Sequence, residues 1–182
     1  MSTTQATTTG KILIYLRIVI VTFRRNPLNI FLFQELNEFV SGANDGLVLF
    51  SMGSIVQGKD MPDEMRQKFL NVFSRLKQRV LWKWETDDMP GLPANVKLSK
   101  WVPQQDVLGH PNTKLFITHG GLLSTQEATY HGVPLLGIPI FGDQDLNMQQ
   151  AERAGYALTI EILELSEDGL EKVINKILSD KT

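Results

Sequence analysis

The segment 101–150 holds most of the side chains in this sequence that could bind a polar ligand. It contains a tryptophan, a His-Gly-Gly turn, a glutamate in a helical pattern and an Asp-Gln pair, separated by apolar runs. A ring can stack on a base, a carboxylate can accept hydrogen bonds from ribose hydroxyls, and glycine N–H groups can bind phosphate. These residue types together suit a ligand that has a base, a ribose, phosphates and a sugar.

His119, Gly120 and Gly121 stand where an apolar strand turns into a helix, so the imidazole and the free N–H groups can bind an anion. A histidine satisfied at a tight turn is the alternative, since the sequence has neither the GxGxxG nor the GxxxxGK phosphate motif. Glu127 follows about two helical turns later on roughly the same face. It could accept hydrogen bonds from a ribose or face solvent as helical glutamates often do.

Trp101 offers a flat face for a base, and Gln104 offers both a donor and an acceptor for the base edge. The ordinary interpretation of Trp101 is a core aromatic residue, and that of Gln104 is the start of a helix. Asp143 and Gln144 suit sugar hydroxyls, although an aspartate here could also cap the next helix. The convergence of all these groups favours the binding interpretation.

The rest of the chain alternates strands and helices in a way that brings these groups together. We predict strands at 47–51, 79–84, 96–101, 114–118, 135–138 and 156–160, and helices at 61–77, 104–108, 122–131, 145–154 and 167–178. This alternation indicates an α/β fold with a Rossmann-like, doubly wound parallel sheet. Ligands of such sheets bind beyond the carboxyl ends of the strands, and Ser51, Trp101, His119 and Asp143 all follow strand ends.

Composition limits the possible functions. The 182 residues carry a net charge of −2 and no cysteine, which gives no basic surface for nucleic acid and excludes disulfides, thiolate nucleophiles and the usual structural zinc sites. We therefore expect no nucleic-acid partner and no zinc site of the usual structural kind.

Residues 1–33 differ in character from the rest. A Ser/Thr-rich start precedes an apolar run at 11–23, which is shorter than the roughly 20 residues of a spanning helix and lacks a following cleavage site. We predict an atypical extension at 1–33, loosely packed or disordered, and one ligand-binding domain at 34–182. A membrane-associated extension is the alternative.

Residues 34–182 resemble the UDP-glycosyltransferases, in particular the UDP-glucuronosyltransferases of animals. The motifs that carry the resemblance are FSMGS (50–54), WVPQQDVLGHP (101–111), FITHGG (116–121), Glu127, HGVP (131–134), GIPIFGDQ (137–144) and Asn147. The resemblance implies the C-terminal, donor-binding half of a GT-B fold. It also implies an inverting transfer, without a metal or a cofactor, of a hexosyl or glucuronosyl group from a UDP-sugar to a small lipophilic acceptor.

By this resemblance, Trp101 would stack on uracil with Gln104 at the edge of the base, and Glu127 would bind the ribose. The diphosphate would be bound by Ser51, His119 and the backbone of Gly120 and Gly121.

Asp143 and Gln144 would bind the transferred sugar. Lys83 is a further donor-binding position, where relatives often carry arginine, and Leu123 stands where many carry asparagine. The contacts to phosphate and sugar would differ accordingly.

The resemblance assigns no catalytic residue to this chain. The family's general base is a histidine of the N-terminal half, whereas His110, His119 and His131 all belong to donor motifs. We expect binding of UDP-glucose or UDP-glucuronate, little transfer by the chain alone, and an acceptor site only with an N-terminal half. The alternative is a non-catalytic form that binds UDP-sugar or associates with full-length transferases and regulates them. Full-length members are expected at the endoplasmic reticulum membrane, on its lumenal side.

Overall fold

The computed structural model describes residues 30–54 and 57–179, with side chains from residue 34 onward. The expectations for residues 1–29 lie outside this range. The chain divides into two compact units, Met1–Glu35 and Leu36–Thr182, and the second contains the sheet. None of the helices in the described ranges combines the length and apolarity needed to cross a membrane.

Six strands form one sheet in the order β3-β2-β1-β4-β5-β6, and every neighbouring pair is parallel. The strands are β1 Leu47–Ser51, β2 Arg79–Lys83, β3 Val96–Ser99, β4 Thr113–Thr118, β5 Leu135–Gly137 and β6 Ala157–Thr159. The predicted doubly wound α/β fold is confirmed. The strand order reverses between β1 and β4, which is the position where sheets of this kind bind their ligands.

The helices of the described residues are α1 Ile30–Ser41, α2 Asp63–Arg75, α3 Gln104–Leu108, α4 Leu122–His131, α5 Gln144–Arg153 and α6 Glu167–Ser179. Two 3-10 turns, Gly58–Asp60 and Ile162–Glu164, complete the connections. Helix α1 was not predicted, although Leu36, Phe39 and Val40 have helical spacing and Leu36 and Val40 are buried.

The two faces of the sheet are covered by different helices. Val48 and Phe50 of β1 face α2 and α6, whereas Leu47 and Leu49 face α1, α3, α4 and α5. Because both faces are buried, β1 is a continuous apolar run rather than an alternating one. Phe50 stacks on Trp82 with ring centroids 4.7 Å apart, and this aromatic contact fixes β1 against β2.

Some predicted element ends were wrong, and one of these corrections affects the site. Strand β3 ends at Ser99 rather than at Trp101, because the Ser99 hydroxyl donates to the Trp101 carbonyl at 2.6 Å and turns the chain out of the sheet. Strand β2 likewise ends at Lys83 rather than at Trp84. Helix α2 spans 63–75 rather than 61–77, since Pro62 has an extended backbone before its first turn.

Candidate functional site

The predicted binding residues converge on the carboxyl edge of the sheet. Because all strands are parallel, each residue at or just after a strand end reaches this edge. The structure places there Ser51 of β1, Lys83 of β2, Trp101 after β3, His119 after β4 and Asp143 after β5.

His110 and His131 lie elsewhere. They precede β4 and β5 and therefore sit at the opposite, amino edge of the sheet. The Nδ1 atom of His110 accepts from the Asn112 N–H at 3.2 Å, and the His131 ring packs on Gly109. His119 is thus the one histidine of the sequence at the carboxyl edge.

Trp101 presents its ring to solvent. Its side chain is 59% exposed, so the interpretation as a core aromatic is wrong. The next residue, Val102, is buried, and the Ser99 hydrogen bond holds the Trp101 backbone. An exposed indole on an anchored backbone is able to stack on a base.

Two amide side chains of α3 hold the carboxylate of Glu127 on α4. Gln104 Nε2 donates to Oε2 at 2.7 Å, and Gln105 Nε2 donates to Oε1 at 3.2 Å. Glu127 is half-buried and fixed, so it is not a freely solvated helix residue. Each carboxylate oxygen retains acceptor capacity and can still bind one hydroxyl of a vicinal diol.

Gln104 is more constrained than the sequence suggested. Its Nε2 also donates to Ser124 Oγ at 3.1 Å, and a carboxylate can only accept, so both amide hydrogens are used within the protein. Gln104 therefore offers a ligand its carbonyl oxygen alone. Sequence reasoning missed Ser124 and Gln105; the available signal was the i,i+3 spacing of Ser124 and Glu127 on one helical face.

The turn between β4 and α4 is suited to an anion. Gly120 has a φ of 85°, and a Cβ there would lie 2.6 Å from Met148 Cγ, so both conformation and packing require glycine. Gly121 is the N-cap of α4 and provides no side-chain cap. The backbone N–H groups of the first turn of α4 are therefore available to a phosphate.

The His119 ring joins this turn to the loop after β1. A Cβ on Gly53 would lie 2.7 Å from Cε1 of the ring, and one on Gly121 would lie 2.6 Å from Nε2. In the same loop, the buried Ser51 Oγ accepts from the Gly53 N–H at 3.3 Å. Burial lowers the pKa of His119 and the negative charge of Asp143 only partly opposes this, so the imidazole is neutral at pH 7 and donates one N–H.

Asp143 and Gln144 begin α5. Asp143 occupies the N-cap position of α5, as the alternative interpretation expected, but its side chain makes no capping hydrogen bond; its Oδ2 accepts instead from Asn147 Nδ2 at 3.1 Å. Asn147 also donates to the Gly120 carbonyl at 3.0 Å, which ties α5 to the His-Gly-Gly turn. The buried Gln144 uses its Oε1 to accept from the N–H groups of Ile140 and Phe141, which leaves its amide N–H groups as the donors for a ligand.

Lys83 is engaged by a neighbouring carboxylate. Its Nζ donates to Glu85 Oε1 at 3.0 Å, and Glu85 also accepts from the Lys59 N–H at 3.1 Å. Burial by itself would raise the pKa of Glu85, but these hydrogen bonds and the charge of Lys83 outweigh it and lower the pKa. A phosphate-binding role for Lys83 stays a prediction, since its charge is already paired.

The sequence profile of the UDP-glucuronosyl and UDP-glucosyl transferase family matches residues 23–182. The chain belongs to this family. It is 46% identical over 147 residues to the UDP-glycosyltransferase UGT5 of Dactylopius coccus and 42% identical over 149 residues to a UDP-glucuronosyltransferase of Pleuronectes platessa. Both alignments cover 81% of this chain but 28% and 31% of the relatives, so the chain spans less than a third of their length.

Solved structures show the same fold. The glycotransferase of kitacinnamycin has a TM-score of 0.67 and 27% identity, over 76% of this chain and 36% of that one. Os79 of O. sativa, in complex with UDP, has a TM-score of 0.68 and 22% identity, over 80% and 34% of the two chains. The sheet is thus that of GT-B glycosyltransferases, as the sequence predicted.

We expect His119→Gln to reduce the acid sensitivity of the fold. Because burial lowers the pKa of His119 in the folded state, its contribution to stability is complete above the unfolded pKa near 6.5 and is lost as pH falls towards the folded pKa. Urea unfolding at about pH 7.5 and about pH 5 measures this loss, which should be smaller in His119→Gln than in wild type. Asp143→Asn removes the negative charge that partly offsets the effect of burial on the pKa of His119, and it should increase the loss of stability between the two pH values. Equal losses in wild type and His119→Gln would contradict a buried, neutral imidazole.

Proposed function

We propose that this domain binds the UDP-sugar donor of a glycosyltransferase along the carboxyl edge of its sheet. The observation that carries the proposal is the Glu127 carboxylate, which Gln104 and Gln105 hold on the same edge as the exposed ring of Trp101. A fixed carboxylate and an exposed ring match a nucleoside, whose base stacks while its ribose donates two hydroxyl hydrogens.

Uracil fits the polarity of Gln104. A base stacked on Trp101 would meet the Gln104 carbonyl oxygen, the only polar atom of that side chain left for a ligand. The N3–H of uracil can donate to this oxygen. Cytosine carries an acceptor at N3 and would leave two acceptors facing each other.

The diphosphate is assigned to the turn before α4. The uncapped N–H groups of the first helical turn and the neutral His119 ring are all donors, and the helix N-terminus favours negative charge. When the bond from the sugar to UDP breaks, charge builds on the β-phosphate. Donors held there stabilise the transition state more than the bound ground state.

The transferred sugar is assigned to Asp143 and Gln144. Asp143 is exposed and supplies carboxylate acceptors, and the Gln144 amide supplies donors beside it. The relatives include proteins named UDP-glucosyltransferase and UDP-glucuronosyltransferase, and the proposal covers both sugars.

The general base and the acceptor pocket are placed outside the described residues. His119 is the histidine at this edge, and its ring is packed between Gly53 and Gly121 against the phosphate turn. Transfer to a small lipophilic acceptor, on the lumenal side of the endoplasmic reticulum membrane, would then be the activity of the whole protein. A form that associates with full-length transferases and regulates them would retain the same donor site, and no contact of the described residues favours this alternative.

Isothermal titration with UDP tests the donor site. Trp101→Ala should weaken binding about 5- to 150-fold, because stacking contributes about 1–3 kcal/mol per base. Glu127→Ala should weaken it about 10- to 150-fold, because it removes charge-assisted hydrogen bonds of about 1.5–3 kcal/mol.

Tyr130→Ala and Glu164→Ala are the matched controls. Tyr130 is 81% exposed at the far end of α4, and Glu164 is exposed in the turn before α6, so neither change should alter binding. A folded wild-type protein that binds no UDP would overturn the donor-site assignment.

A transfer assay tests the placement of the base. With UDP-glucose or UDP-glucuronate and a lipophilic phenol, this chain alone should form no more glycoside than Glu127→Ala does, because one missing acid–base group already costs about 10²–10⁴-fold in rate. Turnover by the wild-type chain that Glu127→Ala abolishes would show that this chain contains its own base.

A further inference from the structure

We propose that Gln105 is a positioning residue that orients the Glu127 carboxylate, and that it thereby sets the preference of the site for nucleotides with intact ribose hydroxyls. This inference rests on the proposed donor-binding function. It assigns a role to a residue that contacts the carboxylate rather than the ligand.

Two consecutive glutamines each donate to a different oxygen of the Glu127 carboxylate. Gln104 donates to Oε2 and Gln105 donates to Oε1, at 2.7 and 3.2 Å. Gln104 is itself oriented by Ser124, whose Oγ accepts its second amide hydrogen. Without the Gln105 amide, the described residues leave Oε1 with no donor, and the carboxylate could rotate about its terminal bond.

The backbone of Gln105 is anchored by hydrogen bonds and buried neighbours although α3 has only five residues. The Gln105 carbonyl accepts from the Gly109 N–H at 2.8 Å. Val107 and Leu108 are buried in the core under the sheet, and the Thr113 hydroxyl donates to the Val107 carbonyl. A side chain that starts from this anchored turn and reaches α4 is suited to fix the rotamer of Glu127.

The consequence for a ligand follows from the acceptor capacity of a carboxylate. Each oxygen can accept one amide hydrogen and one hydroxyl hydrogen at the same time. A carboxylate oriented in advance binds the two ribose hydroxyls without first losing rotational freedom. Removal of Gln105 should therefore weaken only the part of the affinity that depends on those hydroxyls, and should leave base stacking and phosphate binding in place.

The test compares UDP with 2′,3′-dideoxy-UDP by isothermal titration. The readout is the dissociation constant for dideoxy-UDP divided by that for UDP. Both ligands carry the same base and phosphates, so this ratio reports the contribution of the hydroxyls. Gln105→Met keeps the length of the side chain and removes the donor, and it should lower this ratio about 5- to 10-fold while dideoxy-UDP binds as it does to wild type. Gln105→Glu places a second carboxylate beside Oε1 and should lower the ratio further.

Gln126→Met is the matched control, because Gln126 is the exposed neighbour of Glu127 on α4 and should leave the ratio unchanged. An unchanged ratio in a folded Gln105→Met variant would overturn the inference. If Gln105→Met does not fold, the ratio measured for Gln105→Glu tests the inference instead, and an unchanged ratio in that variant would overturn it. Failure of the inference and failure of the proposed function give different results. If wild type prefers UDP to dideoxy-UDP and Glu127→Ala does not, the ribose role of Glu127 stands whatever Gln105 does. If wild type binds both ligands equally, the ribose role of Glu127 is overturned, and if it binds neither, the donor site itself is overturned.

Discussion

The parallel pairing of all six strands is the constraint on which the rest of this structure depends. Each strand must be followed by a crossover, so every strand ends at the same edge of the sheet. Both faces are covered by helices, which leaves that edge as the place where polar side chains can converge without entering the core. Strands β1 and β4 are neighbours at the point of reversal, and their following loops meet through the ring of His119.

Two hydrogen-bond networks then organise the edge. One joins α3 to α4 through Gln104, Gln105, Ser124 and Glu127, and it fixes the group proposed to bind the ribose. The other joins α5 to the His-Gly-Gly turn through Asn147, and it fixes the groups proposed to bind phosphate and sugar. Each network links one helix to the next element along the sheet, so contacts within the protein position the polar groups of the edge. Preorganised donors and acceptors of this kind are what electrostatic catalysis requires.

The sequence predicted the sheet and the position of each candidate residue at its carboxyl edge, because these depend on apolar runs, glycines and prolines that act locally. It could not predict what each polar group is bonded to. Gln104 seemed to offer a donor and an acceptor, yet Ser124 and Glu127 take both amide hydrogens. Lys83 seemed free for phosphate, yet Glu85, two residues along, pairs with it. Such partners depend on side-chain directions across elements, which spacing along the chain does not determine.

We propose that one edge of the sheet binds UDP in a fixed orientation. A crystal structure of this chain with UDP tests it most directly. The complex should show uracil stacked on Trp101, the ribose hydroxyls within hydrogen-bond distance of Glu127, and the diphosphate at the first turn of α4. UDP bound instead at the amino edge, in the cleft of about 440 Å³ lined by Tyr156 and Lys176, would contradict it.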